Sequence, residues 1–120
     1  MRKNCLLLIA LFLFLKLTAQ DQKNNELKPA LLVMDIQNEF IKWMDQDQIE
    51  TRFAYVNYVI ELFRKHELPF IRIYHTNPGH GPEQGTAGFD FVNDIKIKET
   101  DPMIVKNYGN AFHKTALDSL

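Results

Sequence analysis

Apolar residues fall into blocks along the chain, and each block has its own period. Cys5 to Leu15 is an unbroken apolar run of eleven residues behind the basic start Met1-Arg2-Lys3-Asn4. A membrane span needs about 20 such residues, and Lys16 ends the run, so residues 1–20 read as a secretory signal, removed when the protein is exported to a periplasm or the medium, with a retained N-terminal membrane anchor as the alternative. Asp21 to Lys28 is polar and reads as a solvated lead-in to a domain over residues 29–120. Ala30-Leu31-Leu32-Val33-Met34 is a second continuous apolar run, short enough for a strand buried on both faces, with Pro29 admissible only at its start. From Phe53 to His66 the period changes. Phe53, Val56, Val59, Ile60 and Phe63 recur at helical spacing with polar residues between them, which predicts an amphipathic helix. Pro69 then opens Phe70-Ile71-Arg72-Ile73-Tyr74, rich in branched and aromatic residues, a second strand.

These three elements make a βαβ unit, whose strands are parallel and whose crossover is right-handed. His75 to Gly88 carries Pro78, Gly79, Gly81, Pro82, Gly85 and Gly88 and reads as a long loop, a length that often serves function. Phe91 to Lys98 has no clear period. Pro102-Met103-Ile104-Val105 predicts a third strand, and Asn110 looks like the N-cap of a last helix with Phe112, Thr115, Ala116 and Leu120 on one face. The predicted architecture is α/β, a Rossmann-like three-layer αβα arrangement with a parallel sheet, incomplete within these residues.

Composition narrows the partners more than the fold. With 46% apolar and 24% charged residues, the 120-residue chain suits one compact domain and not a disordered segment. Loss of the leader would remove three of the 14 basic residues, so eleven would face 15 acidic ones, a net charge of −4. No basic run or zinc-type Cys/His spacing is present, which argues against nucleic acid as a partner. Cys5 is the single cysteine and lies in the leader, so an intrachain disulfide is excluded. A small-molecule substrate is the expected partner, with no stable membrane contact after signal removal; a homo-oligomer stays open.

In an open parallel sheet, ligands bind beyond the carboxyl ends of the strands. The first predicted strand runs into Asp35, the second into His75 and the third into Lys106, so one rim of the sheet gathers a carboxylate, an imidazole and an ammonium group. Singly, each has an ordinary explanation: a strand-end Asp forms turns, a loop His is solvated, and a Lys is usually a surface charge. Their convergence is the clue.

The string Ala30-Leu31-Leu32-Val33-Met34-Asp35-Ile36-Gln37-Asn38-Glu39-Phe40 resembles the opening signature of the isochorismatase-like, or cysteine hydrolase, superfamily: an apolar strand, then Asp-x-Gln-Asn-(Asp or Glu)-Phe. Ile104-Val105-Lys106, then Asn110-Ala111-Phe112 and Thr115-x-Leu117, resembles that family's apolar-apolar-Lys segment and helix start, with Asn110 in place of a small hydroxyl residue. The resemblance runs in order from Pro29 to Leu120.

What it implies is a hydrolase of small amides or imidates with an Asp, Lys and Cys triad. Asp35 matches the general base, and Lys106 the cation that favours the nucleophile's thiolate, the two being expected on adjacent strand ends. A free thiol titrates near 8.5, so an activating partner is chemically necessary at neutral pH. The matching cysteine is expected beyond residue 120, and these residues alone are expected to be inactive and to expose a third-strand edge. Phe40, His75 and Gln37 are candidate substrate contacts, Gln37 having bracing of the loop as its stronger alternative. Trp43 and Tyr74 read as pocket or core aromatics.

No metal or cofactor is implied. His75 and His80 lack the Asp-x-His pair by which nicotinamidase-like relatives hold a metal. Two other readings stay open: a non-catalytic binding protein derived from this family, and an enol-ether hydrolase working without the cysteine. A flavodoxin-like carrier has little support, since no phosphate-cradling loop follows Asp35.

Overall fold

A computed structural model of the chain describes residues 28–120. The predicted signal segment, with Cys5, lies outside the described residues, as does nearly all of the polar lead-in.

Three parallel strands form the sheet: β1 (Leu31–Met34), β2 (Phe70–His75) and β3 (Met103–Lys106), in the order β1-β2-β3. Leu31 lies opposite Phe70 and Met34 opposite Ile73, while Arg72 lies opposite Met103 and His75 opposite Lys106. Each strand therefore sits within a residue of its predicted place. As the middle strand, β2 is buried on both sides, which is why its sequence is apolar with little alternation.

Between β1 and β2 the chain forms α1 (Asn38–Ile41), a 3₁₀ turn (Gln46–Gln48) and α2 (Ile49–Lys65). The long helix starts a turn before Phe53, where the apolar period predicted it. Asp45 caps the 3₁₀ turn by accepting from the Asp47 N–H (3.1 Å), and Ile49 already packs on the core. The helix ends in a Schellman turn. Glu67 takes φ 52°, Leu68 N–H donates to Phe63 O (2.9 Å), Glu67 N–H donates to Arg64 O (3.1 Å), and Pro69 blocks continuation.

The two sheet faces carry separate cores. On one, Phe53 and Ile60 of α2 meet Val33, Phe70 and Tyr74, joined by Phe89, Phe91, Val92 and Ile95. That last group comes from a stretch with no readable period; its contacts, not its local pattern, order it. On the other face, Ile71, Ile73 and Ile104 pack with Ala111 and Leu117.

The predicted final helix does not form. Asn110 Oδ1 accepts from the Phe112 N–H (3.0 Å) as a cap would, but Lys114 adopts φ 55°. Thr115 Oγ1 donates to Ala111 O (2.5 Å), taking the acceptor that a helical Thr115 N–H would use. The segment closes as turns and a 3₁₀ turn at Leu117–Ser119, leaving Phe112 and Leu120 exposed.

At the amino ends of the strands, Asp101 ties α2 to the approach to β3. Arg64 donates to both its carboxylate oxygens (2.8 and 2.6 Å), and Arg72 donates to its carbonyl (3.0 Å). Among the described residues the outer edges of β1 and β3 are both unpaired. The unpaired β3 edge agrees with the expectation, and an apolar groove of about 440 Å³ lies at β1, between Leu31, Val33, Tyr55, Val56 and Val59.

Candidate active site at the sheet rim

The carboxyl ends of the three strands bring Asp35, His75 and Lys106 together. Asp35 and Lys106 are not on neighbouring strands, as the sequence had suggested: β2 lies between them. The long Lys106 side chain spans that strand end, and its Nζ donates to Asp35 Oδ2 at 2.8 Å. Lys106 is only 4% exposed, whereas the Asp35 side chain keeps 39%. A cation that deep requires a partner, and the carboxylate supplies it.

Two features of Asp35 are unusual for a turn former. Its backbone adopts φ 60°, a left-handed conformation that Asp tolerates better than most residues. Its second oxygen, Oδ1, is buried without a hydrogen-bond partner among the described residues. A buried carboxylate lone pair facing no donor is costly unless another group comes to it.

His75 stands beside the pair, its Nδ1 3.4 Å from Lys106 Nζ. Burial lowers the His75 pKa below its ordinary 6.5, and the Lys106 charge lowers it further, with Asp35 working partly against both. Phe40 lies against the imidazole, ring centroids 6.0 Å apart and tilted by 44°. Phe40 also borders a hollow of about 300 Å³ next to Asp35, whose walls include Met34, Met44, Phe53 and Arg52.

Gln37 sits inside, with no exposed surface, and is a brace in this structure and not a pocket wall. Its Nε2 donates to His75 O (2.9 Å) and Phe89 O (2.7 Å), and its Oε1 accepts from the His75 N–H (2.7 Å). Both amide hydrogens are used within the protein, which leaves none for a substrate. Tyr74 belongs to the core, stacked on Phe89 at 5.0 Å, and Trp43 is 84% exposed. His80 is exposed in the loop, its N–H donating to Asn77 O (3.0 Å).

The segment 86–92, missed by sequence reasoning, is hydrogen-bonded to the chain just after Asp35. Glu39 N–H donates to Gly88 O (3.0 Å), Asn38 N–H to Asp90 O (2.9 Å), and Val92 N–H to Ile36 O (3.2 Å). A Cβ on Gly88 would stand 2.9 Å from Glu39 Oε2, the movable end of a flexible side chain, so a larger residue there would displace that carboxylate and leave the backbone pairing in place. Among the described residues no group of three His, Cys, Asp or Glu side chains could hold a metal ion.

A short parallel sheet with a helix packed on one face, and charged groups gathered at its carboxyl rim, places this chain among the α/β domains. The chain belongs, more narrowly, to the isochorismatase family of hydrolases: the isochorismatase domain model matches residues 29–120. None of the curated proteins is similar enough in sequence to match.

Solved structures agree on the fold. N-carbamoylsarcosine amidase from Thermoplasma acidophilum is 27% identical with a TM-score of 0.67, over 78% of this chain and 60% of that one. An isochorismatase-like hydrolase from Alkaliphilus metalliredigens is 24% identical (TM-score 0.64), over 78% of this chain and 52% of its own. An isochorismatase from Pseudomonas putida KT2440 is 22% identical (TM-score 0.65), over 87% and 55%. The chain thus spans between about half and three-fifths of the length of these structures.

Proposed function

We propose that Asp35 and Lys106 are the acid–base half of a site that hydrolyses the C–N bond of small amides or imidates. One observation carries this reading. Lys106 holds one oxygen of Asp35 at 2.8 Å while the other, buried Oδ1 has no partner, so the carboxylate is fixed in place with a lone pair free to take a proton. Family membership and the likeness to an amidase support it.

In this reading the nucleophile is a cysteine thiol from the remaining part of a whole family domain. Asp35 Oδ1 accepts the thiol proton, and the thiolate attacks the amide carbon. The tetrahedral intermediate collapses as Asp35 returns the proton to the leaving nitrogen, giving ammonia and a thioester. Water, deprotonated by Asp35, then releases the acid and restores the thiol. Lys106 anchors Asp35 throughout and offsets the negative charge on the thiolate.

Ammonia release from a panel of small amides by the intact protein tests this. Asp35→Asn and Lys106→Met, which keep side-chain size, are each expected to lower kcat/KM by about 10²- to 10⁴-fold. A rate within twofold of the unaltered protein would remove that residue from the mechanism.

A further inference from the structure

The contact between Lys106 and His75 decides which ring nitrogen of His75 carries its hydrogen. An ammonium group has donors and no acceptor, so Nδ1, 3.4 Å from Nζ, meets it favourably only as a bare lone pair. A hydrogen on Nδ1 would point one donor at another. With the ring neutral and Nδ1 bare, the hydrogen sits on Nε2, across the imidazole and away from the ion pair.

The rest of the setting holds that nitrogen still. Gln37 clamps the His75 peptide from both sides, accepting from its N–H at 2.7 Å and donating to its carbonyl at 2.9 Å. Phe40 lies beside the ring, with centroids 6.0 Å apart. A half-buried ring with a fixed backbone and a fixed tautomer is a preorganised donor, the kind of group that orients a polar substrate at small entropic cost.

We propose that His75 is a substrate-orienting residue, locked by Lys106 as the Nε2–H tautomer and presenting that single donor to an acceptor oxygen of the substrate. This inference rests on the amide-hydrolase reading for its substrate class, and on the rim geometry alone for its tautomer. Lys106 and Asp35 are the charged groups facing the ring. Lys106 opposes a proton on it and Asp35 favours one, and the neutral Phe40 and Gln37 add no charge to the balance.

Nitrogen-15 NMR of the intact protein's imidazoles reads the tautomer directly. At neutral pH His75 is expected to be Nε2–H, titrating below its ordinary 6.5, and in Lys106→Met its midpoint should rise toward that value with a mixture of tautomers. An Nδ1–H tautomer, or a midpoint unmoved by Lys106→Met, would overturn the proposal. Kinetics supply the second arm. His75→Phe keeps the packing on Phe40 but removes the donor, and should raise KM for a small amide about tenfold with kcat little changed, as loss of one hydrogen bond would.

His75→Gln, whose side-chain nitrogen reaches close to the Nε2 position, should recover most of that loss. Unchanged KM in His75→Phe, beside an inactive Asp35→Asn, would sink the orienting role and leave the hydrolase reading standing. Were the unaltered protein to turn over no amide, both would fall together, and the tautomer result would stand by itself.

Discussion

At the scale of single residues, strain and chemistry meet at Asp35. Its φ of 60° is tolerable to Asp and Asn, whose short polar side chains visit the left-handed region, and costly to most others. Asp35→Asn therefore isolates charge from backbone strain, which makes it a cleaner variant than alanine. Asp101 presents a different balance. Burial pushes its carboxyl up, but the Arg64 hydrogen bonds, the Lys98 N–H (2.6 Å) and the charges of Arg64 and Arg72 outweigh that and hold it below its ordinary 3.8.

A carboxylate with a depressed folded value binds its proton less readily folded than unfolded. Its stabilisation is present above 3.8 and is lost as pH falls through the folded value. Asp101→Asn should cost about 3 kcal/mol at neutral pH, the range for breaking a buried pair. In urea titrations the gap from the unaltered protein should close as the pH drops below 3.8. A gap that stays constant down to about pH 3 would show that charge is not what Asp101 contributes.

Elements show where neighbouring residues suffice and where they do not. The body of α2 was legible because its apolar residues face one core at helical period. Its end is more informative: Glu67 occupies the left-handed position that glycine fills most readily. Glu67→Gly should raise stability by about 1 kcal/mol by relieving that conformation, and a lower thermal midpoint would contradict the Schellman assignment. The segment after Asn110 makes the opposite case. It has a cap residue and an apolar face, yet Lys114 at φ 55° and the Thr115 hydroxyl bond to Ala111 O give it turns. The face expected to pack on the sheet does not: Phe112, Ala116 and Leu120 are exposed, and Ala111 and Leu117 are buried in their place. Once the helical period is lost, the turns choose which apolar residues reach the core.

For the whole molecule, Gln37 is the joint. One side chain links the turn after β1, the end of β2 and the Phe89 segment, across separations of 38 and 52 residues. Replacing it by leucine strands the His75 N–H, its carbonyl and the Phe89 carbonyl. Gln37→Leu should cost about 2–4 kcal/mol, since each orphaned buried group costs about 1–3 kcal/mol and some regain water. Hydrogen exchange offers a local check: the His75 amide, which donates to Gln37 Oε1, should lose protection ahead of the β2 core. Protection equal to that of the unaltered protein would mean that the brace carries no weight.

The periods of the chain, its proline and glycine breaks and the identity of the residue ending each strand were enough to determine the βαβ unit, the parallel sheet and the set Asp35, His75 and Lys106. All of these follow from preferences acting over a few neighbouring residues. Tertiary structure alone decided that β2 lies between β1 and β3, so that a lysine 71 positions after the aspartate bonds it across a strand end instead of beside it. It alone turned Gln37 inward and drew Phe89 to Ile95 into the core. Such contacts depend on loop closure and on which buried polar group finds which partner, and neither leaves a local period in the sequence.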